Sequence, residues 1–322
     1  MEAPTLSSSF VKEAAIRVGF DACGIAVASP LTEEEWGYEE WLRRGYQADM
    51  AYMEQHRDKR SDPTLLVPGA RSVIVLLSGY KPSQTMQDRV SGARIAQYAY
   101  GEDYHERIKR MLFQLIAAIR QRYPDFDAKP CVDTVPISDK QWAHRAGLGW
   151  IGRNTLLVNP VLGSYCNIGE LVTLSPADSY DTPIENRCGD CRACVDACPN
   201  KALKHSSINE LTHSSINELT HSSIPLLDAN RCASYHTVEN RAETLPPEIR
   251  LSGYAFGCDI CQLVCPYNQT AEVRYTLTDE RKAQLEALAD ADSTTFKRLT
   301  KHTALSRIRH SQWQRNQKQR KT

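Results

Sequence analysis

Cys188, Cys191, Cys194 and Cys198, with Pro199 directly after the last, form the spacing C-x2-C-x2-C-x3-C-P. No other feature restricts the fold of this chain as much. Three thiolates so spaced wrap one corner of an iron–sulfur cubane, while the fourth reaches a second cluster. A second group follows at Cys258, Cys261 and Cys265, the last again before a proline. It lacks the usual first cysteine, and Cys232 upstream can replace it. Eight thiolates suffice for two [4Fe–4S] clusters. The crossing rule gives the first cluster Cys188, Cys191, Cys194 and Cys265, and the second Cys198, Cys232, Cys258 and Cys261. The bland alternative is a pair of zinc sites, but those use paired C-x2-C knuckles, and a triple run ending in Cys-Pro fits them poorly.

Eleven cysteines occur in 322 residues, and Cys23, Cys131 and Cys166 stand apart as expected small buried side chains. A chain of this length buries a core without disulfide support. Its start, Met1-Glu2-Ala3-Pro4, has neither a basic nor an apolar stretch, so no secretory signal is expected. The longest aliphatic run, residues 73–77, is far short of the about 20 apolar residues of a membrane span. These features predict reduced thiols, a cytoplasmic location and no membrane partner. The 39 Lys+Arg balance 39 Asp+Glu, so any charge asymmetry is local.

The first half predicts a layered α/β (α+β) domain. Helices are expected at residues 10–18, at 104–122 and at 138–146. Another is expected to start from a Thr32 cap with Glu35 three residues on and to run toward Arg44. Strands are expected at 23–28, 71–80, 131–135, 155–158 and 167–174; the second is continuously apolar, as in a buried central strand. Character changes near Ser175. Residues 1–175 read as one domain, 176–270 as the cluster domain, and 271–322 as a helical, basic tail. Past Asp292 lie Lys297, Arg298, Lys301, Arg307, Arg309, Arg315, Lys318, Arg320 and Lys321 with no acid, a pattern suited to nucleic-acid phosphates. An eight-residue unit starting at His205 repeats at His213 and begins again at His221. That period is too short for a solenoid, so residues 205–224 are expected to form an inserted surface loop.

Two motifs in the first half fail on inspection. Gly147-Leu-Gly149-Trp-Ile-Gly152 matches a dinucleotide fingerprint, but a helix precedes it and a strand follows, the reverse of what that fold requires. Its glycines indicate a tight turn near a ligand or another chain segment. Asp103-Tyr104-His105 begins a D-x-H-x-x-G cobalamin pattern, yet Ile108 stands at the glycine position. Of the two acids near the 138–146 helix, Asp139 suits its first turn. Asp133, at a strand end, is better placed to face a pocket.

Taken together, the residues resemble the epoxyqueuosine reductase family over nearly the whole chain. The likeness rests on Lys59-Arg60-x-Asp62-Pro63, Leu65-Leu66-Val67-Pro68-Gly69-Ala70-Arg71-Ser72, Tyr100-Gly101-x-Asp103-Tyr104-His105 and Val132-Asp133-Thr134. It continues through Arg145-Ala-Gly-Leu-Gly-Trp-Ile-Gly-Arg-Asn154, Gly163-Ser164-Tyr165, Gly169-Glu170, Arg231-Cys232-x-Ser234-Tyr235 and Gly257-Cys258-Asp259-x-Cys261-Gln262. The resemblance implies a nitroreductase-like cobalamin-binding domain followed by a bacterial ferredoxin-like domain with two [4Fe–4S] clusters. It implies Asp133 as proton donor. It further implies cobalamin contacts from Arg60, Leu157, Asn159 and Ile168, and from Ser234, Asp259 and Ile260 on the cluster side. Cobalamin would bind base-off, without a protein histidine. The tandem insert departs from the family pattern, and the C-terminal helical-repeat extension of some members is not expected here.

The implied reaction is reduction of epoxyqueuosine to queuosine at the wobble position of tRNA, the last step of queuosine biosynthesis. The implied partners are tRNA and a low-potential electron donor, acting on a monomer. As general acid, Asp133 is expected to have a raised pKa through burial. The alternatives are a reductive dehalogenase-like enzyme acting on a small molecule, a two-cluster electron carrier, or a nucleic-acid-binding module with a structural cluster.

Overall fold

The computed structural model describes residues 3–83, 93–207 and 223–320. Its centre is a four-stranded sheet of β1 (Ala22–Val27), β2 (Ser72–Gly79), β3 (Ala128–Cys131) and β4 (Cys166–Thr173), in the order β1-β2-β4-β3. All its pairings are antiparallel. The continuous apolar run of β2 reflects burial on both faces, with every residue of the strand buried. Ile74 and Leu76 point to one side, against α1 (Ser8–Val18) and α3 (Tyr104–Arg120). Val73, Val75 and Leu77 point to the other, against α4 (Asp139–Arg145) through Trp142 and Ala143.

Sequence periodicity sets α3 directly. Ile108, Met111, Leu112, Leu115, Ile116 and Ile119 are its buried residues, at helical spacing. Asp103 caps it, its Oδ1 accepting from the His105 backbone N–H at 3.0 Å. The helix α2 (Thr32–Arg43) departs from expectation at its start: Leu31 is the cap, without a side-chain bond, and Thr32 is already helical.

The glycines of the 147–152 segment serve chain packing. Gly147 has φ +71°, and a Cβ there would lie 2.7 Å from the Thr182 carbonyl oxygen. A Cβ on Gly149 would lie 2.4 Å from the Val158 carbonyl oxygen. Both close approaches are to backbone of this chain.

The repeat flanks pair as antiparallel strands Leu203–Ser207 and Ser223–Leu227. The Trp41 indole of α2 donates to the Leu227 carbonyl at 2.6 Å. Most of the expected 205–224 loop, including His213 and His221, lies outside the described residues.

The basic C-terminal segment is more than a solvated tail. It forms α5 (Asp279–Ala287), α6 (Ser293–Thr300) and α7 (His310–Gln319). Phe296, Leu299, Leu305, Ile308 and Trp313 enter a core with Ile95, Tyr100 and Phe256. Arg315 is buried, donating to the carbonyls of Asn240 at 3.0 Å and His236 at 2.8 Å. Charge counting missed this, because a guanidinium with backbone acceptors serves as a structural clamp. Among the described residues, no helix is long and apolar enough to cross a membrane.

Candidate active site

Asp133 follows β3 in the left-handed region, with φ +44°. Such backbone costs a non-glycine residue about 1–2 kcal/mol, and aspartate is among the few that tolerate it. Strain of this kind concentrates at working sites. The turn carries the carboxylate to the start of α3. There Asp133 Oδ2 lies 2.9 Å from His105 Nε2 and accepts from the Tyr104 hydroxyl at 2.9 Å. His105 Nδ1 is 2.7 Å from Asp103 Oδ1. One carboxylate therefore caps the helix and fixes the imidazole, and the imidazole and a phenol fix the second carboxylate. Tyr104 also stacks on His105, with ring centroids 4.0 Å apart.

The expectation of a raised Asp133 pKa is not met. The carboxyl is 57% exposed. The His105 hydrogen bond, acting against partial burial and aided by Tyr104, holds it below the usual carboxylate range. Burial pulls against the charge on His105, but its bonds to Asp133 and Asp103 outweigh that and favour the imidazolium. Burial pushes the Tyr104 phenol well up, and the adjoining Asp133 charge adds to it, so Tyr104 remains a donor. The proton of this assembly rests on the His105 side.

Sequence reading passed over two features here. Asp103-Tyr104-His105, set aside as a broken ligand motif, is the hydrogen-bonding support of Asp133. Behind it sits a second acidic pair. Glu170 of β4 is fully buried, opposite Val75 and Cys131, on the face that meets α4. Asp139, in the first turn of α4, neighbours it, and burial together with the Asp133 charge pushes Asp139 up to about 7. Glu170 is raised too, chiefly by burial. Asp139 thus does more than complement a helix end.

A raised folded-state pKa gives stability that is present below the unfolded value and lost as pH rises through the folded one. For Asp139 that window runs from its ordinary 3.8 to about 7. The Asp139→Asn variant is expected to lose less thermal stability than wild type between pH 5 and pH 8. Parallel melting-temperature profiles for the two proteins would contradict this.

Leu157 and Ile168 join one apolar cluster on the α4 face of the sheet. The carbonyl of Arg60 accepts from Ser138 N at 3.1 Å, beside Asp139, and its Nε is buried without a partner. Asn159 is committed to its own turn: Nδ2 donates to the Leu148 carbonyl at 2.7 Å, and Oδ1 accepts from Val161 N and Leu162 N at 2.9 Å. Asp259 is 2% exposed and accepts from Gln97 N at 2.8 Å. Burial raises it to about 7. Tyr98 meets Tyr104 edge-on with ring centroids 6.1 Å apart and Phe256 at 5.9 Å. Ser234 lies in the helix Ala233–Val238, two residues after Cys232, and Ile260 opens the helix Ile260–Leu263, directly before Cys261. Tyr52 and Arg307 lie near Asp133, and Arg60 Nη2 donates to the Tyr52 carbonyl at 3.2 Å.

The eight cysteines of the two runs lie near one another, the two expected sets meeting at Cys194 and Cys261. Cys194 lies near Cys188 and Cys265, and Cys265 near Cys188 and Cys191. Cys258 neighbours Cys232 and Cys198, and Cys261 neighbours Cys258, Cys232 and Cys194. Among the described residues, no three His, Cys, Asp or Glu side chains converge on a point suited to one metal ion. Of the isolated cysteines, Cys131 is buried, while Cys23 and Cys166 are half-buried with thiols pushed up to about 12 by burial.

The family described as "Epoxyqueuosine reductase QueG, DUF1730" matches residues 60–134, and "4Fe-4S double cluster binding domain" matches residues 187–268. The epoxyqueuosine reductase of Cyclobacterium marinum is 38% identical over 314 residues, covering 96% of this chain and 95% of that one. A crystal structure of epoxyqueuosine reductase with an epoxyqueuosine-modified tRNA-Tyr stem loop superposes with TM-score 0.80 at 28% identity, covering 96% of this chain and 79% of that one. The Bacillus subtilis epoxyqueuosine reductase, solved with its catalytic aspartate loop swung out of the active site, gives TM-score 0.79 at 27% identity, with 96% and 79% coverage. Full-length identity, both domain matches and the shared fold agree: this chain belongs to the epoxyqueuosine reductase family.

Proposed function

We propose that this protein reduces the epoxide of epoxyqueuosine in tRNA to the cyclopentene of queuosine, with Asp133 as the group that protonates the departing oxygen. The reaction takes two electrons and two protons and releases the oxygen as water. The observation that carries this reading is the Asp103–His105–Asp133–Tyr104 chain of hydrogen bonds, which holds a transferable proton at a strained strand end.

Base-off cobalamin fits the residues beside that chain. Ile168 is a half-buried apolar side chain packed on the cluster that holds the buried Leu157, and Arg60 Nε and Gln97 Nε2 are buried donors without partners, suited to the amide-rich rim of a corrin. When bound, the group would supply low-valent cobalt to reduce the epoxide. The two cysteine sets, Cys188, Cys191, Cys194 and Cys265 against Cys198, Cys232, Cys258 and Cys261, would hold [4Fe–4S] clusters that supply single electrons. Ser234, Asp259 and Ile260 would face the corrin from that side.

The protein's own part is proton handling. His105 Nε2 shares its proton with Asp133 Oδ2, and Asp103 anchors the other ring nitrogen. A nucleoside covering the exposed carboxylate excludes water and favours the neutral carboxyl. The proton then crosses the 2.9 Å bond to Oδ2 and on to the epoxide oxygen. Tyr104 holds Oδ2 in line.

The protein is read as a cytoplasmic monomer served by a low-potential donor, with exposed cations of the C-terminal segment, Arg298 and Lys301, facing tRNA. Anaerobic turnover on an epoxyqueuosine-bearing stem loop tests the reaction: the released nucleoside is expected to lose one oxygen. An unchanged nucleoside from protein loaded with iron and cobalt would exclude this substrate. The Cys265→Ser variant is expected to retain about half of the wild-type iron, since each cluster has its own four thiolates. Full iron content would remove Cys265 from the ligand set.

A further inference from the structure

We propose that a cavity beside the start of α3 seats a backbone phosphate of the tRNA anticodon loop, gripped by Arg281, Arg298 and Lys301; this rests on tRNA being the substrate. The cavity has a volume of ≈ 360 Å³, and its lining includes Gly101, Glu102 and these three cations. Glu102 is its sole acid, and two arginines outside the cavity engage it: Arg110 at 3.2 Å and Arg107 at 4.0 Å. Positive charge is thus left uncompensated.

Arg281 shows this most clearly. Its Nε donates to the Tyr100 carbonyl at 2.6 Å and its Nη1 to Gln284 Oε1 at 3.1 Å, both uncharged acceptors. Its Nη2 is buried and has no partner. A partly desolvated guanidinium without a counter-charge is costly, and an anion entering the cavity would offset that cost. Arg298 and Lys301 are exposed at the cavity and form no ion pair among the described residues. A phosphodiester matches such a site, because phosphate contacts from Arg and Lys set the register of a bound nucleic acid.

Position supplies the second argument. The stretch 101–105 lines the cavity at one end and supplies Asp103 and His105 at the other. Four peptide steps span at most about 15 Å. The Asp103 backbone N–H also donates to the His302 carbonyl at 2.8 Å, next to Lys301. A phosphate seated here therefore lies close to the nucleoside at Asp133, and would fix the register of the loop over the site.

The test is a double substitution, Arg298→Ala with Lys301→Ala, in the cluster- and cobalamin-loaded protein, using the epoxyqueuosine stem loop as probe. Neither side chain has a partner whose loss would disturb folding, and matched melting curves verify this. The expected result is a roughly tenfold weaker stem-loop affinity and a log K against log salt slope shallower by about 1.4, with kcat at saturation unchanged. Lys297→Ala, an exposed cation of α6 outside the cavity, is the control and is expected to shift neither quantity comparably. Wild-type affinity and slope in the double variant would overturn the proposal, as would an equal loss in the Lys297→Ala control. Affinity is read without turnover, so a wild-type protein that binds the stem loop but leaves its epoxide intact would refute the reaction and leave this test standing.

Discussion

Replacing Asp133 by Asn is expected to cut turnover of an epoxyqueuosine stem loop by about 10²–10⁴-fold, the usual worth of a positioned general acid. Stem-loop affinity and melting temperature should stay near wild type, because the carboxyl is 57% exposed and no apolar packing depends on it. Asn keeps the size and one acceptor oxygen, so Tyr104 still has a partner, but the amide cannot pass on a proton. The proton that matters starts on His105, whose bonds to Asp133 and Asp103 raise its pKa above the ordinary 6.5. The protonated form is the active one, so the wild-type rate should fall as pH rises through that raised value. In the His105→Asn variant this alkaline limb should move or vanish, an effect that a purely structural role for the ring would not produce. Near-normal turnover by Asp133→Asn would remove this residue from the chemistry.

The second large effect concerns stability. Trp313→Ala is expected to cost about 3–5 kcal/mol, the range for emptying a buried aromatic site. Trp313 is 1% exposed, packs against Phe296 with ring centroids 5.9 Å apart, and donates its indole N–H to the Leu288 carbonyl at 2.9 Å. Truncation after Asp292 should be worse, since it also removes Phe296, Leu299, Leu305 and Ile308 from a core shared with Ile95 and Phe256. It also removes Arg315 and Asn316, whose side chains bond to the backbone of residues 236–242 and 255. A truncated chain would therefore lose affinity for tRNA through unfolding, and only point substitutions at exposed cations isolate charge. Denaturant titration checks the claim; an unchanged midpoint for Trp313→Ala would show that the C-terminal helices do not share the core's cooperativity.

The sequence carried the chemistry further than the topology. Cysteine spacing and the Pro that ends each run pointed to two clusters, and residues 187–268 match a double-cluster binding domain. The apolar run of β2 and the buried stripe of α3 were legible because their period is local. The antiparallel strand order was not, since pairings such as Val75 with Glu170 join residues far apart in the chain. The C-terminal core escaped notice because its apolar residues are sparse among cations, and because the burial of Arg315 depends on carbonyls some 75 residues away. Asp133 was legible as a candidate by its place at a strand end. The direction of its pKa was not, because the imidazole that sets it comes from another element. Glu170 and Asp139 show the same limit: each is ordinary in sequence and is raised chiefly by a burial that only the fold creates.

The most direct test of the central claim is anaerobic incubation of the fully loaded protein with an epoxyqueuosine stem loop and a strong reductant, followed by mass analysis of the released nucleosides. The account predicts loss of one oxygen, dependent on added cobalamin and nearly abolished in Asp133→Asn. Intact epoxide in the presence of bound iron and cobalt, or equal conversion without cobalamin, would contradict it.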